Sequence, residues 1–364
     1  MRILIVSTLK RKIAPHEFAS RSRIIYQLSQ GLAKKGHQVS LLGTGDSEIP
    51  GVKIIPLLEK GWVDLPPVEN EFLRQDTNLI QLTQKIVEIQ GDFDIIHNHT
   101  YPDFFPSIIE DRLKIPMLTT LHALYDFYMD DLLSTFKKTH FISLSNNYAQ
   151  LYKKAKIYKT VYNGVDTNLY SYQEKKGGYL FWLGRLPKGK NKDGSFMDPK
   201  GVRSAIKLAE ITGEKLFISA PVEDKKFFEI DIKPHLNDKI QFVGEPTSEQ
   251  SVSFEKILSL YQGAKAFLMT INQSEPFGLV TAEAGSCGTP VISFDRGALP
   301  EVMKDGVNGF LVPYEQGVEG LKNALKKIDQ IKPINCRNHI VNNFSIENMV
   351  DNYEKTYNEI LQEI

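Results

Sequence analysis

Residues 171–186, with the sequence SYQEKKGGYLFWLGRL, decide the fold because a polar linker here leads into a new buried strand. Ser171–Gly178 is polar and ends in two glycines, which is typical of a connection between domains. Tyr179–Leu183 is an apolar run of the length of a buried strand. The chain has 364 residues, more than the roughly 250–300 at which a single core stops growing. We therefore expect two domains, at 1–170 and 171–345.

Strands alternate with helical spacing in both halves of the chain. Ile3–Val6 predicts the first strand, and Ser22 to Lys35 has helical spacing that ends at Gly36. Further strand segments are, in chain order, VSLL, DIIHNH, PMLTTLH, HFISLS and KTVYNG, then YLFWL, KLFISA, KIQFVGE, AKAFLMT and TPVISF. Such alternation with short connections predicts an α/β fold with two doubly wound parallel sheets. The last segment, about 346–364, predicts an amphipathic helix that could pack on either domain.

Composition excludes several classes of protein. Lys+Arg and Asp+Glu both number 44, so the chain has no net basic charge with which to bind nucleic acid. The two cysteines, Cys287 and Cys336, cannot form a disulfide framework, which favours a reducing compartment. The apolar run at Ile3–Val6 is too short for a signal peptide, and no run approaches the roughly 18 residues of a membrane span. We expect a soluble, cytoplasmic protein that can still touch the inner face of a membrane.

Two other kinds of site are disfavoured by spacing. The first strand of each expected domain, Ile3–Val6 and Tyr179–Leu183, is not followed by the Gly-x-Gly-x-x-Gly pattern of a nicotinamide-binding turn. His97 and His99 share one face of a strand, but no nearby Cys or His pair completes a zinc site. We expect one packed and one pocket-facing histidine here, and no metal.

The stretch SEPFGLVTAEAGSCGTPV, Ser274–Val291, begins a helix directly after the strand AKAFLMT. Ligands of open α/β sheets bind beyond the carboxyl ends of the strands. The first amides of this helix, from Phe277, Gly278 and Leu279, predict an anion site. Glu275 precedes the helix and would repel a phosphate, so we expect it to bind a sugar hydroxyl.

Glu283 lies about one and a half turns into the same helix, from where it could reach the diol of a ribose. The loop GRLPKGKNKDGSFMDPKG follows the strand at Tyr179–Leu183 and predicts a diphosphate site, with a solvated loop as the alternative. Its cations are Arg185, Lys188, Lys190, Lys192 and Lys200.

These segments resemble the retaining glycosyltransferases of family 4, also called group 1. The resemblance rests on EPFGLVTAEAGSCGTPVISF…GALPEVMKDGVNGFLV, YLFWLGRL…PKGVRSAIKLAE, NGVD, QFVGE, TTLH and GLAKKGHQVSLL, and it spans nearly the whole chain. It implies a GT-B fold, in which two Rossmann-like domains face each other across a cleft and the last helix returns to the first domain. It also implies transfer of a sugar from a nucleoside-diphosphate sugar to an acceptor hydroxyl, with retention of configuration and no obligatory metal or cofactor.

The resemblance assigns roles to residues of both domains. Arg185 and Lys200, with the three helix amides, would hold the diphosphate, and Glu283 would hold the ribose. Glu275 and His122 would act at the reacting centre, Glu275 as a sugar ligand and not as a nucleophile. Gly244 and Glu245 would border the nucleobase. The acceptor side would carry Lys10, Arg11, Ser20 and His99.

The implied partners are a UDP-, GDP- or ADP-linked sugar and a sugar, lipid-linked or small-molecule acceptor. A nucleotide-sugar epimerase or hydrolase of the same fold is the alternative, as is a catalytically silent binding protein. Two segments depart from the family pattern. ASRSR, residues 19–23, replaces its usual glycine pair, and the segment between Arg185 and Lys200 is longer than usual, which makes Lys188 and Lys192 rival phosphate ligands.

Overall fold

The computed structural model describes residues 1–15, 17, 19–187, 189–248 and 251–363. The chain forms two compact units. Unit 1 comprises Met1–Gly164 together with Ile346–Ile364, and unit 2 comprises Val165–Ser345. Each unit contains a sheet whose described neighbouring strands run parallel. The expected α/β class, with two Rossmann-like parallel sheets, is confirmed.

The sheets are assembled from short buried strands. In the described part of the chain the sheet of unit 1 has the order β3-β2-β1-β4-β5-β6-β7, and that of unit 2 has the order β10-β9-β8-β11-β12-β13. The strands of unit 1 are β1 (Arg2–Val6), β2 (Gln38–Thr44), β3 (Lys53–Leu58), β4 (Ile95–Asn98), β5 (Met117–Thr120), β6 (His140–Ser143) and β7 (Ile157–Thr160). Those of unit 2 are β8 (Tyr179–Leu183), β9 (Lys215–Ser219), β10 (Ile240–Phe242), β11 (Ala266–Met269), β12 (Val291–Phe294) and β13 (Gly309–Val312).

Helices connect the strands of the two sheets. They are α1 (Ser20–Lys34), α2 (Glu71–Ile89), α3 (Phe127–Leu133), α4 (Asn146–Ala149), α5 (Val202–Thr212), α6 (Lys225–Phe227), α7 (Phe254–Gly263), α8 (Leu279–Ser286), α9 (Leu299–Val302), α10 (Gly317–Leu325), α11 (Pro333–Phe344) and α12 (Ile346–Gln362). The last helix, α12, packs against α1, where a Cβ on Gly31 would lie 2.4 Å from Val350 Cγ2. Among the described residues no helix combines the length and apolarity needed to cross a membrane.

Two strands were missed from the sequence, and both are edge strands. β3 contains Pro56, which cannot donate to a ladder and is tolerated at a sheet edge. β13 is only four residues long and pairs with β12 alone. Because an edge strand has one neighbour and is partly exposed, it needs neither a long nor a fully apolar run.

In each sheet the chain adds strands first in one direction and then in the other. The direction changes between β1 and β4 in unit 1 and between β8 and β11 in unit 2. The loops after these central strands diverge at the carboxyl edge and leave a crevice between them, where such sheets bind ligands. Lys10, His99, Arg185 and Glu275 all follow one of these four strands.

Candidate active site

Two residues of unit 2 that we predicted to bind the nucleoside-diphosphate sugar form an ion pair at the crevice of this unit. Lys200, in the loop after β8, lies with Nζ 2.7 Å from Oε2 of Glu275, in the loop after β11. Their side chains are 30% and 14% exposed, so the pair is partly shielded but open to a ligand. An anion that binds Lys200 must compete with the Glu275 carboxylate.

Asp198 fixes the position of Lys200. Its carboxylate accepts the amide hydrogens of Gly201, Val202 and Arg203 at 2.9, 3.0 and 3.0 Å, and so caps α5. Gly201 has φ 74°, and a Cβ there would lie 1.5 Å from the carbonyl oxygen of Thr270. Only glycine therefore allows α5 to begin this close to the end of β11. Burial raises the pKa of Asp198, and the three amides partly offset the rise.

The N-terminus of α8 presents open amides. Gly278 precedes the helix with φ 88° and ψ 51°, and no side chain caps it. Among the described residues the amides of Gly278 and Leu279 have no hydrogen-bond acceptor. Phe277 is buried, and its ring packs at 5.8 Å from that of Phe344. The main chain of Glu275 is held by the amide of Ala298, which donates to its carbonyl at 2.8 Å. This arrangement is suited to an anion.

Glu283 lies inside α8 and is only 2% exposed. The hydroxyl of Tyr261, on α7, donates to its Oε2 at 3.0 Å. Tyr261 thus orients the carboxylate that we predicted to bind ribose, and nothing in the sequence had indicated this tyrosine.

Arg185, another predicted phosphate ligand, is exposed. Its side chain is 69% exposed, and Nη1 lies 3.1 Å from Oε1 of Glu223, which follows β9. A pair this exposed is worth little, roughly 0–1 kcal/mol, so the guanidinium can turn to another anion.

The long loop between Arg185 and Lys200 folds into a small hairpin. Lys190 and Phe196 form an antiparallel bridge, and Lys190 Nζ lies 4.8 Å from the centre of the Phe196 ring. Lys192 is exposed on the turn. Lys188 lies outside the described residues. Of the lysines that the structure describes in this loop, Lys200 is the one that it pairs with Glu275.

Gly244 and Glu245 follow β10, at the edge of the sheet. The amide of Glu245 donates to Ser251 Oγ at 2.7 Å, and this hydroxyl donates back to the Glu245 carbonyl. Thr247 of the same loop accepts from the amide of Val222, which precedes Glu223. The predicted nucleobase loop is therefore tied to the segment that carries the partner of Arg185.

In unit 1, the loops after β4 and β5 bring two histidines together. His99 Nδ1 lies 2.8 Å from His122 Nε2. His99 is fully buried, and His122 is half-buried. Burial and the charge of Arg21 lower the pKa of His99 to about 3, and burial, Arg21 and His99 lower that of His122 well below its usual value.

Arg21 and Asp103 hold the main chain around this pair. Arg21, on α1, lies with Nη2 2.8 Å from Oδ1 of Asp103 and donates to the carbonyls of His99 and Thr100. Asp103 accepts the amide of Ala123, next to His122, at 2.7 Å. The ASRSR segment therefore contributes an arginine to this cluster.

His97 is packed, as expected for one of the two strand histidines. Its Nδ1 lies 2.6 Å from the hydroxyl of Tyr357 on α12, and its Nε2 lies 2.8 Å from Thr120 Oγ1. His99 is also buried, so the expectation that one of these two histidines faces a pocket is wrong. Its ring meets His122, which is half-buried.

The other predicted acceptor residues lie near the carboxyl edge of β1. Lys10 and Ser20 are exposed, and Arg11 is partly exposed. Gly61 packs against this loop, since a Cβ there would lie 2.6 Å from the Cα of Arg11. The structure does not bring these three residues into the histidine cluster by any described hydrogen bond.

Sequence reasoning missed several positioning residues. Asp198 carries a readable signal, because an aspartate shortly before a helix is a preferred cap. Tyr261, Arg21, Asp103 and Glu223 carry none, since their roles depend on which elements meet in space. Among the described residues no group of three or more His, Cys, Asp or Glu side chains is arranged to hold a metal ion.

Both halves of the chain match known families of proteins. Residues 194–343 match the family described as glycosyl transferases group 1, and residues 22–169 match glycosyltransferase family 4. The chain is 21% identical over 380 residues to N-acetyl-alpha-D-glucosaminyl L-malate synthase of Bacillus anthracis, with 93% of each chain covered.

Solved structures agree on the fold. Sucrose-phosphate synthase of Thermosynechococcus elongatus has a TM-score of 0.76 at 16% identity over 100% of both chains. HepE of Anabaena, solved in complex with UDP and glucose, has a TM-score of 0.70 at 16% identity over 99% of this chain and 100% of its own. These likenesses confirm the GT-B fold class. With the two family matches taking in most of both units, the chain belongs to the group 1 glycosyltransferases.

Proposed function

We propose that this glycosyltransferase moves a sugar from a nucleoside-diphosphate sugar to an acceptor hydroxyl, with retention of the anomeric configuration. The observation that carries the proposal is the Lys200–Glu275 pair beside the open amides of α8, at the crevice of unit 2. It combines a cation and main-chain donors for phosphate with a carboxylate for sugar hydroxyls. The likeness to HepE, solved with UDP and glucose, supports a nucleotide sugar as the donor.

In this proposal the leaving diphosphate is stabilised by Arg185, Lys200 and the amides of Gly278 and Leu279. These groups are in place before the reaction and act where negative charge develops. Protein cations, rather than a bound metal, supply the positive charge. Glu283, oriented by Tyr261, binds the ribose, and the loop at Gly244 borders the base.

Retention follows if the departing phosphate oxygen accepts the proton of the acceptor hydroxyl on the face that it leaves. Glu275 is not a nucleophile in this scheme, because its carboxylate is paired with Lys200 and serves the sugar hydroxyls. We assign the acceptor to unit 1, where His122 contributes to turnover.

Replacing Glu275 with glutamine should strengthen binding of a nucleoside diphosphate while weakening transfer. Glutamine keeps the shape of the side chain but frees Lys200 to bind phosphate. We expect a several-fold lower Kd for the diphosphate, of the order of the roughly 1 kcal/mol of a partly shielded charge pair. Calorimetric titration would measure it, and a weaker or unchanged affinity would contradict the competition between carboxylate and phosphate.

Replacing Tyr261 with phenylalanine should weaken donor binding about tenfold, since a hydrogen bond to a carboxylate is worth roughly 1.5–3 kcal/mol. Tyr179→Phe is the matched control, because within the described ranges its hydroxyl donates to the carbonyls of Ser259 and Leu260 on α7 and to no carboxylate. Equal losses in the two variants would assign the effect to α7 packing and remove Tyr261 from the donor site.

A transfer assay tests the function itself. The protein would be incubated with UDP-, GDP- and ADP-linked sugars and a panel of sugar and lipid acceptors, with products detected by mass spectrometry. A glycosylated product whose anomeric signals by NMR match the donor configuration is expected. An inverted product would overturn retention, and free sugar or an epimer alone would favour the hydrolase or epimerase.

A further inference from the structure

The His99–His122 pair has one nitrogen that the fold leaves without a partner. Nε2 of His99 is buried and has no hydrogen-bond partner among the described residues. The other ring nitrogen, Nδ1, is the one that meets His122 Nε2 at 2.8 Å. The proton between the two rings therefore has two possible arrangements, which differ in what they leave at the buried nitrogen.

In the first arrangement His99 carries its proton on Nδ1 and donates to His122. A bare lone pair then remains at the buried Nε2, and His122 carries its own proton on Nδ1. In the second arrangement His122 donates from Nε2, which leaves a buried N–H on His99 with no acceptor. Orphaned buried N–H groups are rarer than unsatisfied acceptors, which favours the first arrangement.

Nearby charge keeps the rings of His99 and His122 neutral. Arg21 donates to the His99 carbonyl and is the charge that, after burial, lowers the pKa of His99. A positive charge disfavours protonation of a neighbouring ring, so both rings stay neutral. Asp103, whose Oδ1 lies 2.8 Å from Arg21 Nη2, balances this charge.

The ring of His99 is also held in place by its surroundings. It packs on His97 with ring centres 3.9 Å apart, and its amide donates to the carbonyl of Val6 at 2.8 Å. His97 is fixed in turn by Tyr357 and Thr120. His99 is therefore a rigid group next to the half-exposed His122.

We propose that His99 is a positioning residue, which fixes the orientation of His122 and holds it in the tautomer with the proton on Nδ1. His122 then offers an N–H donor, rather than a lone pair, to an oxygen of the acceptor that we assign to unit 1. The role of His122 toward the substrate rests on the proposed transferase function, but the tautomer of His122 can be measured in the protein without any activity.

The first experiment is long-range ¹H–¹⁵N NMR of the ¹⁵N-histidine-labelled protein at pH 7, with the His122 signals assigned by their loss in His122→Gln. We expect His122 in the Nδ1–H tautomer in the wild type and in a mixture of tautomers in His99→Phe, which keeps a ring but no hydrogen bond. An Nε2–H tautomer of His122 in the wild type, or the same tautomer in both proteins, would overturn the proposal. This NMR measurement needs no donor or acceptor substrate. It therefore still tests the tautomer of His122 if the transferase assay fails.

The second experiment measures turnover. His99→Phe should lower kcat roughly 10- to 100-fold through misplacement of His122, with donor Kd little changed because the donor ligands lie in unit 2. His99→Asn, whose amide nitrogen takes the place of Nδ1, should recover most of kcat. Donor binding also reports that each variant is folded. Equal loss in the Phe and Asn variants with donor binding intact would contradict the role of the Nδ1 donor.

Discussion

Lys200→Ala is expected to lower kcat/KM about 10²- to 10³-fold, the cost of removing one preorganised group that stabilises developing charge. The substitution removes the cation 2.7 Å from Glu275 and leaves that carboxylate unpaired beside the site proposed for the diphosphate. The diphosphate therefore loses its attraction to Lys200 and is repelled by the unpaired Glu275 carboxylate. Steady-state kinetics with the donor identified by the transfer assay would measure the effect.

Lys192→Ala is the matched control for this variant. Lys192 belongs to the same loop but is exposed on the turn of its hairpin. Because solvent and salt screen an exposed charge, its removal should change kcat/KM less than about twofold. The double variant Lys200→Ala, Glu275→Gln should recover part of the donor affinity, because the repulsion disappears. Equal losses from the two lysines would show that only the overall charge of the loop matters.

Unit 1 should lose stability as the pH falls from 6.5 to 5. His97 and His99 are fully buried, burial lowers the pKa of His97 well below its usual value, and that of His99 falls to about 3. Below about pH 6.5 the unfolded chain therefore binds protons that the folded chain does not, and stability falls with pH. His122, whose pKa is also lowered, adds a third such group. Because each unfolded ring is already half protonated at pH 6.5, each histidine contributes about 1.6 kcal/mol over this window, or about 5 kcal/mol for the three.

The two tryptophans make this measurable, because Trp62 lies in unit 1 and Trp182 in unit 2. In a Trp182→Phe background, Trp62 fluorescence during urea unfolding reports on unit 1. His99→Phe should lose about two thirds as much stability over the window, since one of three such rings is gone. The same pH dependence in both proteins would mean that His99 is not held neutral.

The carboxyl groups with lowered pKa in unit 1, Asp94, Asp130 and Glu354, do not disturb this window. A carboxylate with a lowered pKa loses its stabilising effect only as the pH falls below the unfolded value of about 4. Burial raises the pKa of Asp103 and Glu17, so these two groups gain stability as the pH falls and offset part of the loss from the histidines.

The fold could be predicted because nearly every buried strand is a compact apolar run followed by helical spacing. The helix expected from Ser22 to Lys35 is α1, and the final amphipathic segment is α12. The sequence pattern missed β3 and β13, because strands at the edge of a sheet need fewer apolar residues.

The site could be predicted only as far as the position of residues after strands. That rule selected Arg185, Lys200 and Glu275, and the family resemblance added His122; their binding and catalytic roles stay predictions. Which of them touch depends on strand order, since Lys200 meets Glu275 because β8 and β11 are neighbours. No linear pattern contains that adjacency, nor the approach of Tyr261 to Glu283 from α7.

The central claim is that the crevice of unit 2 binds a nucleoside-diphosphate sugar through Lys200. Calorimetric titration of the wild type and Lys200→Ala with UDP-, GDP- and ADP-linked sugars tests it most directly. We predict that at least one of these donors binds the wild type at one site per chain and binds Lys200→Ala at least about tenfold more weakly, a loss of about 1.4 kcal/mol. Binding of none of them, or an affinity unchanged by the substitution, would contradict the account.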